Sequence, residues 1–165
     1  MPTLLEIAQA LWFFVPAFLA NMAPVLVQER LRPLERPLDF GATFRGRRVL
    51  GDHKTWRGLV AGVATAVAVF WLQRLLYRAG FAHGLARIDY GAASLLTGLA
   101  LGTGALVGDA VKSFFKRQLD IAPGRSWLGF DQLDFLVGAW LATLPLGAPP
   151  FTHLVAIAPI VFLGA

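Results

Sequence analysis

Residues 4–27, LLEIAQALWFFVPAFLANMAPVLV, contain one ionisable side chain, Glu6. Wound as a helix at about 1.5 Å per residue, this run reaches about 36 Å, enough to cross a hydrocarbon core of about 30 Å. Similar apolar runs follow near 58–77, 92–111, 131–147 and 150–165, separated by polar loops. Charged residues make up 15% of the 165 residues against 56% hydrophobic ones, so the polar surface is too small to cover the apolar mass in water. The expected fold is all-α: a polytopic membrane protein of about five transmembrane helices forming a single domain over 1–165. The last run is short, about 22 Å, and fits a tilted, partial or re-entrant segment.

The cations are not spread evenly. Of 15 Lys and Arg, eight lie between the first and second runs, four between the third and fourth (Lys112, Lys116, Arg117, Arg125) and three on the other side (Arg74, Arg78, Arg87). This asymmetry puts the first and third loops in the cytoplasm and the N-terminus outside, with a multi-pass cell-membrane location. No Lys or Arg precedes the first run and no small-residue cleavage pattern interrupts it, so a cleaved signal peptide is not expected. The net charge of +5 therefore reads as attraction to anionic lipid or polyphosphate, and nucleic acid is the weaker reading. Cysteine is absent, which excludes thiolate nucleophiles and Cys-ligated metals, and three scattered histidines argue against zinc.

Within the first run, Pro16 and Pro24 predict kinks, and Asn21 between them reads either as helix-to-helix glue or as a ligand contact opened by the kink. The loop 28–57 has two halves. Arg32-Pro33 and Arg36-Pro37 suggest an amphipathic or extended collar on the lipid surface. Gly51 to Gly58, GDHKTWRG, joins two glycines to Lys54, Thr55 and Arg57, which reads either as a phosphate cradle or as a positive flank with a turn. At the far end of the second run the long Arg74 stem can snorkel to the interface. In the third run, Gly98-x-x-x-Gly102 matches the small-residue pattern of close helix packing, a surface that would also admit a homo-oligomer. His153 reads as a packed or interfacial histidine.

The densest chemistry lies between Gly108 and Asp134. Asp109 closes the third run with Lys112, Ser113 and Lys116 on its helical face, and Asp131 and Asp134 open the fourth at i and i+3. Three carboxylates at a membrane edge need compensation. One form is a structural ion-pair cluster with Lys112, Lys116 and Arg117; the other is a divalent ion such as Mg2+, which favours carboxylate oxygens, water and substrate phosphate. Carboxylate, metal and cation together describe a phosphoryl- or nucleotidyl-transfer site, and an ionised phosphate as attacking group would need no base from the protein.

The run Gly108-Asp109, Lys112-Ser113, Lys116-Arg117, Pro123-Gly124 and Asp131-Gln132-x-Asp134 resembles the signature of integral-membrane phosphatidate cytidylyltransferases: S-x-x-K-R, a short loop, then D-R-x-D. Gln132 stands where that pattern has Arg, and Pro123-Gly124 with Ser126-Trp127 replaces a His-Gly-Gly turn. These departures, the small size and the Gly51–Gly58 motif resemble the archaeal branch, the CDP-archaeol synthases, with Asn21 and Pro24 a weaker match. The resemblance implies transfer of CMP from CTP to an isoprenoid ether lipid phosphate, with pyrophosphate released. It implies that Asp109, Asp131 and Asp134 hold Mg2+ and act with Lys116 in catalysis. Lys54, Arg57, Lys112 and Arg117 would hold phosphate, with Thr55 and Ser113 as neutral donors and Asn21 beside the nucleotide. The resemblance leaves a cytidylyltransferase for diacyl lipid as an alternative, and the residues by themselves leave a transporter relaying ions through intramembrane acids or a noncatalytic assembly protein using the Gly98–Gly108 surface.

Overall fold

The computed structural model describes residues 2–29, 31–122, 125, 127 and 130–163. Arg30, the Pro123-Gly124 turn and Ser126 lie outside the described residues. Five helices carry the architecture: α1 (Leu4–Leu26), α2 (Trp56–Arg78), α3 (Leu96–Gln118), α4 (Phe130–Thr143) and α5 (Phe151–Leu163). A two-stranded ribbon, β1 (Thr43–Phe44) and β2 (Arg47–Arg48), sits in the loop between α1 and α2.

Local chemistry sets the helix starts. Thr3 caps α1 by accepting the Glu6 amide at 3.2 Å, while the Glu6 carboxylate accepts the Thr3 amide at 2.8 Å, a reciprocal box that satisfies two otherwise orphan donors. Thr55 does the same for α2 by accepting the Gly58 amide at 3.2 Å. Both expected prolines, Pro16 and Pro24, lie inside α1.

The helices carry apolar side chains on their outer faces as well as in the core. Leu5, Met22, Val25, Trp71, Leu72 and Val155 face outward and exposed. Inside, buried Gln9 donates to the Gly84 carbonyl at 3.0 Å and buried Gln73 to the Trp12 carbonyl at 2.5 Å. The core between them is Phe13, Phe14, Phe70, Leu101, Leu136 and Ile157. Helices α1 and α2, 23 residues each, are long and apolar enough to cross a membrane.

Helix α3 packs against α1, α2 and α4, and its glycines allow the approach. A Cβ at Gly98 would meet the Phe70 side chain at 2.7 Å, and one at Gly102 would meet Ala66 at 2.6 Å. On the other face, Cβ atoms at Gly104, Gly108 or Gly138 would run into the carbonyls of Gly138, Asp134 and Gly104 respectively. The expected close-packing role of Gly98 and Gly102 is therefore met inside the monomer. Gly98 and Gly102 are spent on α2, and Gly104 and Gly108 on α4.

The third apolar run ends at residue 111, and α3 continues past it to Gln118, so Asp109, Lys112, Ser113 and Lys116 share one helix as their spacing predicts. Membrane thickness limits hydropathy, not helical hydrogen bonding, and the Lys112–Arg117 stretch contains no breaker. The chain turns only where Asp120 adopts a positive φ of 57°. The fourth run ends as α-helix at Thr143, passing into a 3-10 turn at Leu144–Leu146 that includes Pro145. Where an amphipathic or extended collar is expected at Arg32-Pro33 and Arg36-Pro37, Leu31 leads into a 3-10 turn at Arg32–Leu34; further on, the ribbon turns through Arg45 and Gly46, both at positive φ.

Gly138→Ala is expected to lower stability by about 1–3 kcal/mol, since neither backbone can give way without moving a helix. Gly84→Ala, where an added Cβ meets nothing within 4 Å, should be neutral. Thermal unfolding of both variants in detergent, followed by tryptophan fluorescence, checks the contrast.

Candidate active site

The last third of α3 turns Asp109, Lys112 and Lys116 toward the first turns of α4, which present Asp131 and Asp134. Three residues per near-turn place Asp109 and Lys112 on one face, and their ion pair closes at 3.0 Å. The Lys112 ammonium also lies 3.4 Å from Asp131 and 3.0 Å from Asp134, so one cation serves three carboxylates from two helices. Lys116 pairs with Asp131 at 3.0 Å and donates to the Arg125 carbonyl at 2.5 Å, tying the α3–α4 connection to the cluster. Asp131 also accepts the Trp127 amide at 2.6 Å. Lys54, from the loop before α2, reaches across and pairs with Asp109.

The polar loop is arranged to deliver Lys54. Leu38 donates to the Lys54 carbonyl at 2.7 Å and Trp56 to the Arg36 carbonyl at 3.0 Å, so the two halves of the loop pair around it. Asp39 is the buried hub, with its side chain 2% exposed. It accepts the amides of Gly41 (3.0 Å), Leu50 (2.9 Å) and Gly51 (3.2 Å) and the Arg48 guanidinium (3.0 Å). Against the cost of its burial, these amides and the Arg48 guanidinium hold its carboxyl well below the usual carboxylate range. Arg47 then fastens the ribbon to the end of α3, donating to the Gln118 carbonyl and pairing with Asp120.

The expected site residues thus separate into groups. Asp109, Asp131, Asp134, Lys54, Lys112 and Lys116 form one connected cluster. The Thr55 hydroxyl is engaged as the α2 cap, and the Ser113 hydroxyl donates to the Asp109 carbonyl at 2.9 Å. Arg57 is buried and pairs with Glu35 at 3.5 Å. The Arg117 stem lies 4.0 Å from where a Gly51 Cβ would be, which sets the end of α3 against the Gly51–Gly58 loop. Among the described residues, no hydrogen bond or ion pair joins Asn21 to the cluster. Asp39, Arg47 and Asp120 were not singled out from sequence. For Asp39 a signal existed: an Asp two residues before Gly is the pattern of an Asx turn, here made by Asp39 and Gly41.

Whether these residues suit a divalent ion can be judged from the oxygens themselves. The donor set is hard carboxylate oxygen, as Mg2+ prefers. The Asp134 side chain is 8% exposed, and its Oδ1 has no hydrogen-bond partner among the described residues. The chemistry therefore fits a cation, although no group of three His, Asp or Glu side chains among the described residues closes to metal-binding geometry. The place between the carboxylates is held by Lys112.

Beside the cluster, α3 and α4 line an open cleft of about 1190 Å3. Val107, Val111, Phe115, Leu133, Val137 and Leu141 line its length, and Lys112 and Asp134 stand at its polar end. A charged head and a long apolar body are what such a space accommodates.

Inward-facing charge on helices with apolar exteriors is the pattern of a membrane protein with a polar site gathered at one end of its helices. The comparisons with known proteins are specific. The family described as CarS-like, CDP-archaeol synthase, matches residues 3–164. The CDP-archaeol synthase of Thermococcus onnurineus is 41% identical over 160 residues, 94% of this chain and 87% of its own. That of Methanosarcina acetivorans is 44% identical over 119 residues, 69% of this chain and 67% of its own. A solved structure described as an intramembrane enzyme for archaeal membrane lipids biosynthesis agrees with a TM-score of 0.74 at 36% identity, covering 95% of this chain and 90% of its own. The chain belongs to the CDP-archaeol synthase family.

Asp39→Asn should lower stability by about 2 kcal/mol at neutral pH, because the buried amides and Arg48 lose an ionised acceptor. The sign follows from the depressed carboxyl: its contribution is present above the unfolded value of about 3.9 and is lost as pH falls toward the folded one. The gap between wild type and variant, measured by thermal unfolding, should be constant from about pH 5 to 8 and narrow below about pH 4.

Proposed function

We propose that this chain transfers CMP from CTP to the phosphate of 2,3-di-O-geranylgeranylglyceryl phosphate, giving CDP-archaeol and pyrophosphate. The single observation that carries the reading is the junction of a lysine–carboxylate cluster with a long apolar cleft. It offers one place for a polyphosphate and, continuous with it, one for isoprenoid tails. Membership of the CDP-archaeol synthase family supports the choice of CTP and of an ether lipid.

In the proposed reaction an ionised oxygen of the lipid phosphate attacks the α-phosphorus of CTP. A phosphoanhydride forms between lipid phosphate and CMP, the bond to the β-phosphate breaks, and the electron pair leaves with pyrophosphate. Phosphate supplies its own nucleophilic oxygen, so no side chain has to remove a proton. Asp109, Asp131 and Asp134 would hold Mg2+, which when bound neutralises phosphate charge and polarises the α-phosphoryl group. Lys54, Lys116, Arg57 and Arg117 would grip the triphosphate and the lipid phosphate, with the gain largest as charge builds on the leaving pyrophosphate. The apolar walls of the α3–α4 cleft would hold a tail and keep bulk water from competing as acceptor.

The proposed placement has five membrane segments, with α4 and α5 short ones, and the N-terminus outside. The α1–α2 loop and the α3–α4 connection then share the cytoplasmic side, where CTP is. The Lys and Arg asymmetry supports this orientation.

The purified protein, given Mg2+, CTP and the diether lipid phosphate, is expected to release pyrophosphate, and ATP should not replace CTP. Equal use of a diacyl lipid phosphate would remove the ether-lipid specificity; no release with any pairing would overturn the reaction. Asp131→Asn and Asp134→Asn, shown to be folded, should each lose at least about 100-fold in turnover. Retained wild-type rates in both would sink their proposed role.

A further inference from the structure

Lys112 occupies an unusual position for a phosphate-binding lysine. Its ammonium stands at the polar end of the α3–α4 cleft, among carboxylates. It stands 3.0 Å from Asp109, 3.4 Å from Asp131 and 3.0 Å from Asp134, in the one place from which all three carboxylates can be reached. Lys54 and Lys116 flank it, each held on a different carboxylate, Asp109 and Asp131 respectively. The cluster of three carboxylates and three ammoniums is electrically balanced as it stands.

Two features say that this balance is provisional. The nine-tenths buried Asp134 keeps Oδ1 without a hydrogen-bond partner, a costly arrangement for a permanent structural ion pair. The three carboxylates also stand apart around the ammonium instead of closing on a common point. They have the donor chemistry of a cation site, and the cation among them is the Lys112 ammonium.

We propose that Lys112 is a resident counter-ion, which must leave the three carboxylates before a divalent cation can take its place, and that the phosphates of CTP are what draws it away. The inference rests on the cytidylyltransferase reading for the identity of that anion. An ammonium and a divalent cation cannot share one hydrogen-bonding distance of the same oxygens, because like charges at that separation repel strongly in a part-buried site. Without an anion nearby, moving Lys112 leaves its charge beside the added one. With CTP present the released ammonium gains phosphate oxygens, and the flexible four-carbon lysine stem allows the swing without moving α3. The cost of exchange falls on the metal alone and is relieved by the nucleotide. Metal and CTP must therefore strengthen each other's binding by the same factor, as linkage requires.

The test uses Mn2+ as the probe, its binding read by electron paramagnetic resonance on the full chain in detergent, with and without CTP and with no lipid phosphate, so that no turnover occurs. Counted as Mn2+ held by the protein, after subtracting what the same CTP chelates in protein-free solution, wild type should bind Mn2+ at least about tenfold more tightly when CTP is present. Lys112→Gln should bind Mn2+ alone about tenfold more tightly than wild type does and lose most of the dependence on CTP. In metal-free buffer the same variant should unfold at a lower temperature than wild type, and Mn2+ should remove the difference. Lys112→Arg, which keeps the charge, should keep the dependence. Equal Mn2+ affinity for wild type with and without CTP overturns the proposal, and that measurement needs no variant to fold. Unchanged or weaker Mn2+ binding by Lys112→Gln overturns it as well. Pyrophosphate release by the wild type is scored separately, so loss of the lysine exchange and loss of the cytidylyltransferase reading give different results.

Discussion

The contact on which the rest depends is the one between α3 and α4, where two backbones touch without side chains between them. Gly108 lies against the Asp134 carbonyl and Gly104 against Gly138, so no Cβ spaces the helices apart. That approach brings the Asp109–Lys112 face of one helix within ion-pair reach of Asp131 and Asp134 on the other. With an ordinary side chain at Gly108 the helices would separate, and a lysine could not reach both. The charged cluster and the glycine seam are thus a single design: the seam supplies proximity, and the cations make tolerable the carboxylates it forces together.

The second wall of the site comes from a segment with no core of its own. The α1–α2 loop holds its shape through Asp39, whose carboxylate gathers three backbone amides and Arg48, and through Arg47, which clasps the end of α3. Both devices replace apolar burial with directed hydrogen bonds, the means available to a polar loop at a membrane surface. Their effect is to hold Lys54 against Asp109 from the side opposite α4.

This geometry also separates the functional classes that composition left open. An ion-relay protein would need acids through the depth of the bundle, whereas the buried carboxylates on α3 and α4 gather at one end, beside an apolar cleft. An assembly protein would need the glycine surface of α3, and that surface is spent on α2 and α4.

Much of this was readable from residues one at a time. The apolar runs foretold helices, because a chain so poor in charge can satisfy its backbone in lipid only within helices. Asp109, Lys112 and Lys116 share a face by helical period alone, and the Gly51–Gly58 and Gly108–Asp134 motifs carried the family. Hydropathy marks where lipid ends, not where helical hydrogen bonding ends, so the apolar run stops at residue 111 while α3 runs on to Gln118. Arg47 and Asp120 pair across 73 residues, and although the Asx turn of Asp39 and Gly41 is written locally, its bonds to Arg48, Leu50 and Gly51 are not. The sequence by itself determined which residues are charged, which segments are helical and which residues lie on each helix face, since those follow from composition and a 3.6-residue period. Only the tertiary structure decided that Lys112 stands among all three carboxylates, because that depends on how closely two helices approach, a distance set by packing in three dimensions.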